Sequence, residues 1–140
     1  MKNNVYPVFM CNDIEKEAQF FMEQFDFEEV FSSDWYISLK DKNGFELAVI
    51  DNHHDTIPNQ HRKSCEGCIL NIEVDDADAL YSKIKNNKQI SLIVDIKNED
   101  YGQRHFMIET PSKILIDVIQ MILPSDEYIE NYKETGEQSG

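Results

Sequence analysis

Gly67-Cys68-Ile69-Leu70-Asn71-Ile72-Glu73-Val74-Asp75-Asp76-Ala77 alternates side chains in the manner of a strand and then presents two aspartates where a helical pattern begins. Alternation sends successive residues to opposite faces, so Cys68, Leu70, Ile72 and Val74 form an apolar face that should meet a helix. Ile69, Asn71 and Glu73 then face the other way. The helix follows at once, with Ala77, Leu80, Tyr81 and Ile84 as its apolar stripe and Asn86-Asn87 ending it. The same order occurs near the start of the chain. Val5–Cys11 reads as a strand, Asp13 can cap the free amides of a helix, and Ile14, Ala18, Phe21, Met22 and Phe25 recur at helical spacing. Tyr6 and Asp13 map onto Ile69 and Asp76 with one common offset of 63.

Three further β-like runs follow each helix. After the first come Phe27–Phe31, Trp35–Leu39 and Phe45–Ile50, the last two joined through the turn Asp41-Lys42-Asn43-Gly44. After the second come Ile90–Ile96, His105–Glu109 and Ile114–Gln120, with Pro111-Ser112-Lys113 turning between the final pair. Ala48 maps onto Asp117 with an offset of 69, so the second half carries a net insertion of six residues. An order of strand, helix and three strands that occurs twice is a fold-level signal, because neither half can cover its own sheet. The expected fold is α+β: two βαβββ modules forming a cupped mixed sheet with helices on the outer face. One domain over 1–124 is expected, with modules at about 5–51 and 67–122 joined by a polar linker at 52–66. Residues 125–140 form an acidic tail able to hold a short helix over Ser125–Tyr132.

Composition narrows the function. In a chain of 140 residues, 41% hydrophobic and 11% aromatic content is enough to bury a core. A net charge of −14 argues against nucleic acid and against anionic membrane surfaces, both of which need basic patches. It favours solubility and would attract a cationic ligand at low salt. No apolar run approaches the roughly 20 residues of a membrane span. Met1-Lys2-Asn3-Asn4 opens no long apolar segment, and three cysteines suit a reducing compartment. A cytoplasmic protein is expected.

The paired modules resemble the vicinal oxygen chelate superfamily, which includes glyoxalase I, extradiol dioxygenases, fosfomycin-resistance proteins and bleomycin-resistance proteins. The carriers are Asp13-Ile14-Glu15-Lys16 before Phe20-Phe21, and Val74-Asp75-Asp76 before the second helix. A third is Tyr101-Gly102-Gln103-Arg104-His105-Phe106, followed by Thr110-Pro111-Ser112-Lys113. That last stretch is similar to the W-G-x-R-x-F … D-P-x-G-N signature of the bleomycin-resistance and glyoxalase-like branch. Tyr101 stands in place of its Trp, and Thr110, Lys113 and Ile114 in place of its Asp, Gly and Asn. The resemblance runs from about Val5 to Gln120 and speaks to fold rather than to one activity.

Metal-dependent members hold a divalent ion with His, Glu or Gln on the first and last strands of each module. The matching positions here are Tyr6, Ala48, Ile69 and Asp117, which leaves one carboxylate and no usable set. A slip of two residues would bring Glu46 to the place of Ala48 without supplying a ligand on either first strand. No metal and no cofactor are expected. Cys65-Glu66-Gly67-Cys68, with His61, His53 and His54 upstream, reads as a polar linker beside a small core cysteine rather than as a zinc or redox site.

The cup should be lined by Tyr6, Val8 and Met10, by Ile69, Asn71 and Glu73, and by Leu115, Asp117 and Ile119, with His105, Met107 and Glu109 as candidates to join them. Such a mixture of apolar walls and a few polar anchors suits a small organic molecule. The candidate ligand-binding residues are Tyr6, Trp35, Tyr36, Asn71, Glu73, Tyr101, Arg104, His105 and Asp117. Of the neighbours Trp35 and Tyr36, one should point inward. Arg104 either clamps an anion or pairs with an acidic residue, and His105 is either a base near its ordinary pKa or a structural group. The leading expectation is a metal-free protein that binds a small cationic or aromatic molecule. The resemblance to the bleomycin-resistance branch adds a homodimer. A lyase or dioxygenase that uses metal, or a metal-free enzyme with His105 or Glu73 as base, is the alternative.

Overall fold

A computed structural model describes residues Met1–Lys133. The chain forms two compact units: Met1–Cys68 with Thr110–Ile114, and Ile69–Glu109 with the chain from Leu115 onward. Each holds one four-stranded mixed sheet.

In the first unit β1 (Val8–Cys11) leads to α1 (Ile14–Phe25), then β2 (Glu28–Ser32), β3 (Tyr36–Lys40) and β4 (Glu46–Asp51). The sheet order is β1-β4-β3-β2, with β1 parallel to β4 and the rest antiparallel. Asp13 caps α1 by accepting from the Lys16 amide at 3.1 Å. Ile14, Ala18 and Phe21 of α1 are buried, as are Phe9, Cys11, Ile37, Leu39, Leu47 and Val49 of the strands. The strand residues share one face by alternation and register. Val8, Met10, Tyr36, Ser38, Ala48 and Ile50 lie on the other face. β1 starts at Val8 rather than Val5 because Pro7 has no amide to donate, and its carbonyl makes the first bond to Ala48 at 3.0 Å.

The segment 52–66 is more than a linker. It makes a 3-10 turn at Asn59–His61, buries Ile57, and returns along β1 through the Cys65 amide to the Met10 carbonyl at 2.8 Å. The Pro111-Ser112-Lys113 turn also belongs to this unit, where the Ser112 amide donates to Glu17 Oε1 at 2.8 Å. Glu17 is fully buried on α1 and its second oxygen, Oε2, has no partner.

The second unit repeats the plan with β5 (Ile69–Glu73), α2 (Ala77–Ile84), β6 (Ser91–Glu99), β7 (Gln103–Glu109) and β8 (Leu115–Met121). Its order is β5-β8-β7-β6, with β5 parallel to β8. Asp76 caps α2 through the Ala79 amide at 3.1 Å, and the Tyr81 ring meets Phe106 edge-on at 5.4 Å. A four-residue α3 (Asp126–Ile129) stands where a longer helix over Ser125–Tyr132 was expected. The expected tail beyond Lys133 lies outside the described residues.

The registers reproduce the repeat. Val8 pairs with Ala48, and Asn71 with Asp117; Met10 pairs with Ile50, and Glu73 with Ile119. These are the offsets of 63 and 69 found in the sequence. Two strands are longer than expected. β7 begins at Gln103, and β6 continues to Glu99 rather than ending at Ile96. Register shifts between Leu92 and Val94 and between Val94 and Lys97 let β6 bend and carry on pairing through a polar stretch.

Burying a carboxylate with one oxygen unpaired is costly. Glu17→Gln keeps an acceptor for the Ser112 amide and removes the charge, so its urea midpoint should equal or exceed that of the wild type. Glu17→Ala, which strands that amide and opens a void, should lose about 1–3 kcal/mol in the same denaturation.

Candidate functional site

β7 carries the polar centre of the second unit. His105 is 2% exposed and faces away from α2, in register with Ile119 of β8 and Lys97 of β6. Its ring lies between two carboxylates: Nδ1 is 2.7 Å from Asp117 Oδ1, and Nε2 is 2.8 Å from Glu99 Oε2. Ionised carboxylates only accept, so the ring that satisfies both is the imidazolium, donating from each nitrogen. Burial pulls the His105 pKa down, but the hydrogen bonds to Glu99 and Asp117 outweigh it and leave the pKa above the ordinary 6.5. Glu99 is held below the ordinary carboxylate value, first by the hydrogen bond from His105, against its own desolvation, and then by Lys97 at 3.4 Å.

Tyr101 lies in the β6–β7 turn next to this row. Its phenol pKa is raised by burial, then by Glu99 and by Asp117. Asn71 and Glu73 lie on the same sheet face on edge strand β5, and both are exposed. Glu73 also borders an open cleft of about 390 Å³ with Val74, Asp75, Gln120 and Met121.

Arg104 is placed elsewhere. One step along β7 from His105, it points to the α2 face and grips Asp78 with Nε at 2.9 Å and Nη2 at 2.8 Å. Nη1 donates to Asn98 Oδ1 at 2.9 Å. Of the two readings open in the sequence, this geometry is that of a residue paired with acid, and Arg104 lies on the opposite face from the His105 row. Alternation along the strand dictates the split.

Tyr6, Trp35 and Tyr36 lie in the first unit. Tyr36, opposite Ile50, faces away from α1 and has a neighbour in Tyr6; burial and then Tyr6 raise its phenol pKa. Phe31 meets Tyr36 at 6.3 Å. Trp35 is turned onto the loop after β4 and stacks on His54 at 3.7 Å with an 8° tilt. So Tyr36 is the one of the pair on the open face.

Sequence reasoning missed Glu99 and Lys97, because the polar run Lys97-Asn98-Glu99 does not alternate with apolar residues. A hairpin register counted outward from Pro111-Ser112-Lys113 would have brought His105 beside Asp117. Counted from the turn Asp100-Tyr101-Gly102, an unbroken register sets Glu99 opposite Gln103 and Lys97 opposite His105, a count that ending β6 at Ile96 forestalls.

The fold family implies a divalent metal, and the residues do not fit one. Register places Ala48, not Glu46, at the position equivalent to Asp117. Ala48 and Ile69 carry no donor, Tyr6 offers a phenol, and Asp117 is engaged with His105 Nδ1. Asp117 and Glu99 stand at opposite nitrogens of the ring and do not converge on a point. Elsewhere His53 Nδ1 meets Asp51 Oδ1 at 3.2 Å and His54 Nδ1 meets Thr56 Oγ1 at 2.9 Å. Among the described residues no group of three His, Cys, Asp or Glu side chains forms a metal set, and no helix is long and apolar enough to cross a membrane.

Residues 4–122 match the profile of the glyoxalase-like domain, and the chain belongs to that family. No curated protein matches the sequence. Among solved structures, a glyoxalase/bleomycin resistance protein/dioxygenase family enzyme from Burkholderia phytofirmans PsJN is similar at 17% identity and a TM-score of 0.71, over 84% of this chain and 97% of that one. A member of the same superfamily from Sphaerobacter thermophilus is 16% identical, with a TM-score of 0.69 over 85% and 98% of the two chains. A lactoylglutathione lyase from Agrobacterium tumefaciens is 13% identical, with a TM-score of 0.68 over 85% and 94%. These likenesses establish the fold and nothing finer.

The raised His105 pKa makes its contribution to stability complete below about pH 6.5 and lost as pH climbs through the folded value. The lowered Glu99 pKa contributes above about pH 4.5 and is lost as pH falls through the folded value. The wild-type urea midpoint should therefore decline above pH 6.5, and His105→Gln should flatten that limb. An unchanged slope between about pH 6.5 and 8 in the variant would show that the imidazolium bridge carries no linkage.

Proposed function

We propose that this protein binds a small organic cation with an aromatic or apolar body, without metal and without catalysing a reaction, on the open face of its second module. The observation that carries the reading is the occupation of both His105 nitrogens by carboxylates. An imidazolium fixed in this way has no lone pair to take a proton, which removes the most obvious base from the face. What remains is an anchored row in which His105 and Lys97 balance Asp117 and Glu99, flanked by exposed Glu73, which leaves the face one net negative charge, and by Ile69, Met107 and Tyr101. Its net negative sign agrees with the −14 of the whole chain and favours a cation.

In this reading the exposed Asn71, Glu73 and Tyr101 meet the ligand, and the buried His105 and Asp117 support the face behind them. Tyr6 and Tyr36, with Trp35 behind them, give the first module an aromatic surface of the kind that accepts flat or cationic groups. The likeness to the bleomycin-resistance branch supports a homodimer, and the net charge of −14 supports partners other than nucleic acid or anionic membrane. A cytoplasmic location belongs to the same reading.

Calorimetric titration with the N-methylquinolinium cation and with naphthalene-2-sulfonate, a flat anion of similar size, tests it. The cation should bind with an affinity that falls as salt rises, and the sulfonate should not bind. Glu73→Gln should weaken the cation about fivefold, roughly 1 kcal/mol. Equal binding of the two probes, or binding indifferent to salt, would remove the charge argument.

A further inference from the structure

Gly102 sits between Tyr101 and the strand that carries His105, and its φ of +108° belongs to the region that favours glycine. Space as well as conformation demands the residue. A Cβ there would come within 3.0 Å of the Ile122 carbonyl, 3.1 Å of Tyr132 Oη and 3.3 Å of Pro124 Cβ. The chain after β8 therefore lies directly on the β6–β7 turn. It is tied down along its length: the Ile122 amide donates to the Gly102 carbonyl at 3.0 Å, and the Ser125 amide to the Asp100 carbonyl at 2.8 Å. The Tyr132 hydroxyl donates to the Tyr101 carbonyl. The Tyr128 ring then meets the Tyr101 ring edge-on at 6.2 Å.

We propose that the segment Ile122–Tyr132 is a clasp that fixes the Tyr101 ring beside the Glu99–His105–Asp117 row, making Tyr101 an aromatic wall of the binding face and Tyr128 its positioning residue. Without the clasp, Tyr101 is a turn residue with a rotatable side chain and nothing behind it. With the clasp, the ring is backed on one side by Tyr128, and its phenol stays near two carboxylates, consistent with the direction in which burial, Glu99 and Asp117 move it. An aromatic face held against negative charge is suited to a cation, which meets the ring and the carboxylates at once. The clasp stands on its own geometry; only its role in ligand contact rests on the binding reading above.

The test uses the full chain carrying 3-fluorotyrosine, whose more acidic phenol titrates below strongly alkaline pH, followed by fluorine NMR. Tyr101→Phe assigns the resonance among the six tyrosines. In Tyr128→Ala the Tyr101 titration should move down toward that of a free phenol. In Tyr128→Phe, which keeps the ring, it should stay with the wild type. Tyr132→Phe, which removes only the hydroxyl bond to Tyr101, should shift it in the same direction as Tyr128→Ala and by less. Affinity for N-methylquinolinium should fall about tenfold in Tyr128→Ala and be retained in Tyr128→Phe. A Tyr101 titration that is the same in Tyr128→Ala and wild type overturns the clasp. A titration that moves while the cation binds with unchanged affinity overturns the role of Tyr101 as a wall. If the wild type binds no cation but the titration moves, the clasp is upheld and it is the binding reading that fails.

Discussion

An imidazole buried between two carboxylates is stable only as a unit. Asp117 alone would be a buried charge, and the ring alone would shed its proton. Together they form a row across three adjacent strands, Asp117 on β8, His105 on β7 and Glu99 on β6. That row fixes much else in the second unit. It requires β6 to extend past Ile96 to Glu99, where it pairs with Gln103. It sets His105 on one face of β7, which sends Arg104 to the other, where the guanidinium holds α2 through Asp78. One strand thus carries a polar lock on each face, with Phe106 supplying the apolar packing against α2.

The two modules share a frame but not a chemistry. Register makes Tyr36 of β3 the counterpart of His105, and Ala48 of β4 the counterpart of Asp117. Where the second module has an ionic row, the first has a tyrosine against small and apolar residues, with Tyr6 and Phe31 near it. A repeat constrains the backbone, because strand pairing and helix packing need the same apolar positions in both copies. It leaves the opposite face free to diverge, since those side chains do not hold the helix.

This division explains what the sequence could and could not reveal. The helices and their caps were legible because Asp13 and Asp76 stand directly before apolar stripes of period 3.6, and local chemistry alone defines them. The order of strands and the offsets were legible for the same reason, and alternation placed Asn71, Glu73, Asp117 and His105 on one face. What escaped was long-range. The partners of His105 lie 6 and 12 residues away on other strands, and Glu99 sits in a polar stretch of β6 beyond the last alternating residues. Pattern reading ends a strand where alternation stops, and there the fold continues on hydrogen bonds alone. Segment 52–66 shows the converse: its polar composition reads as a linker, yet Ile57 and the Cys65 amide tie it to the first unit.

Stability and reactivity pull in opposite directions at His105. A general base needs a free lone pair and a pKa near the working pH; a structural imidazolium needs both nitrogens protonated and a pKa held above it. The two carboxylates move the residue toward the second state, and Lys97 beside Glu99 strengthens that choice by keeping Glu99 ionised. The same pairing engages Asp117, the one carboxylate at the four positions where related proteins hold metal. A single histidine on the neighbouring strand therefore bears on both routes to catalysis, by proton transfer and by metal. What it leaves is a face whose polar groups are already paired to one another, with Glu73 exposed at its edge.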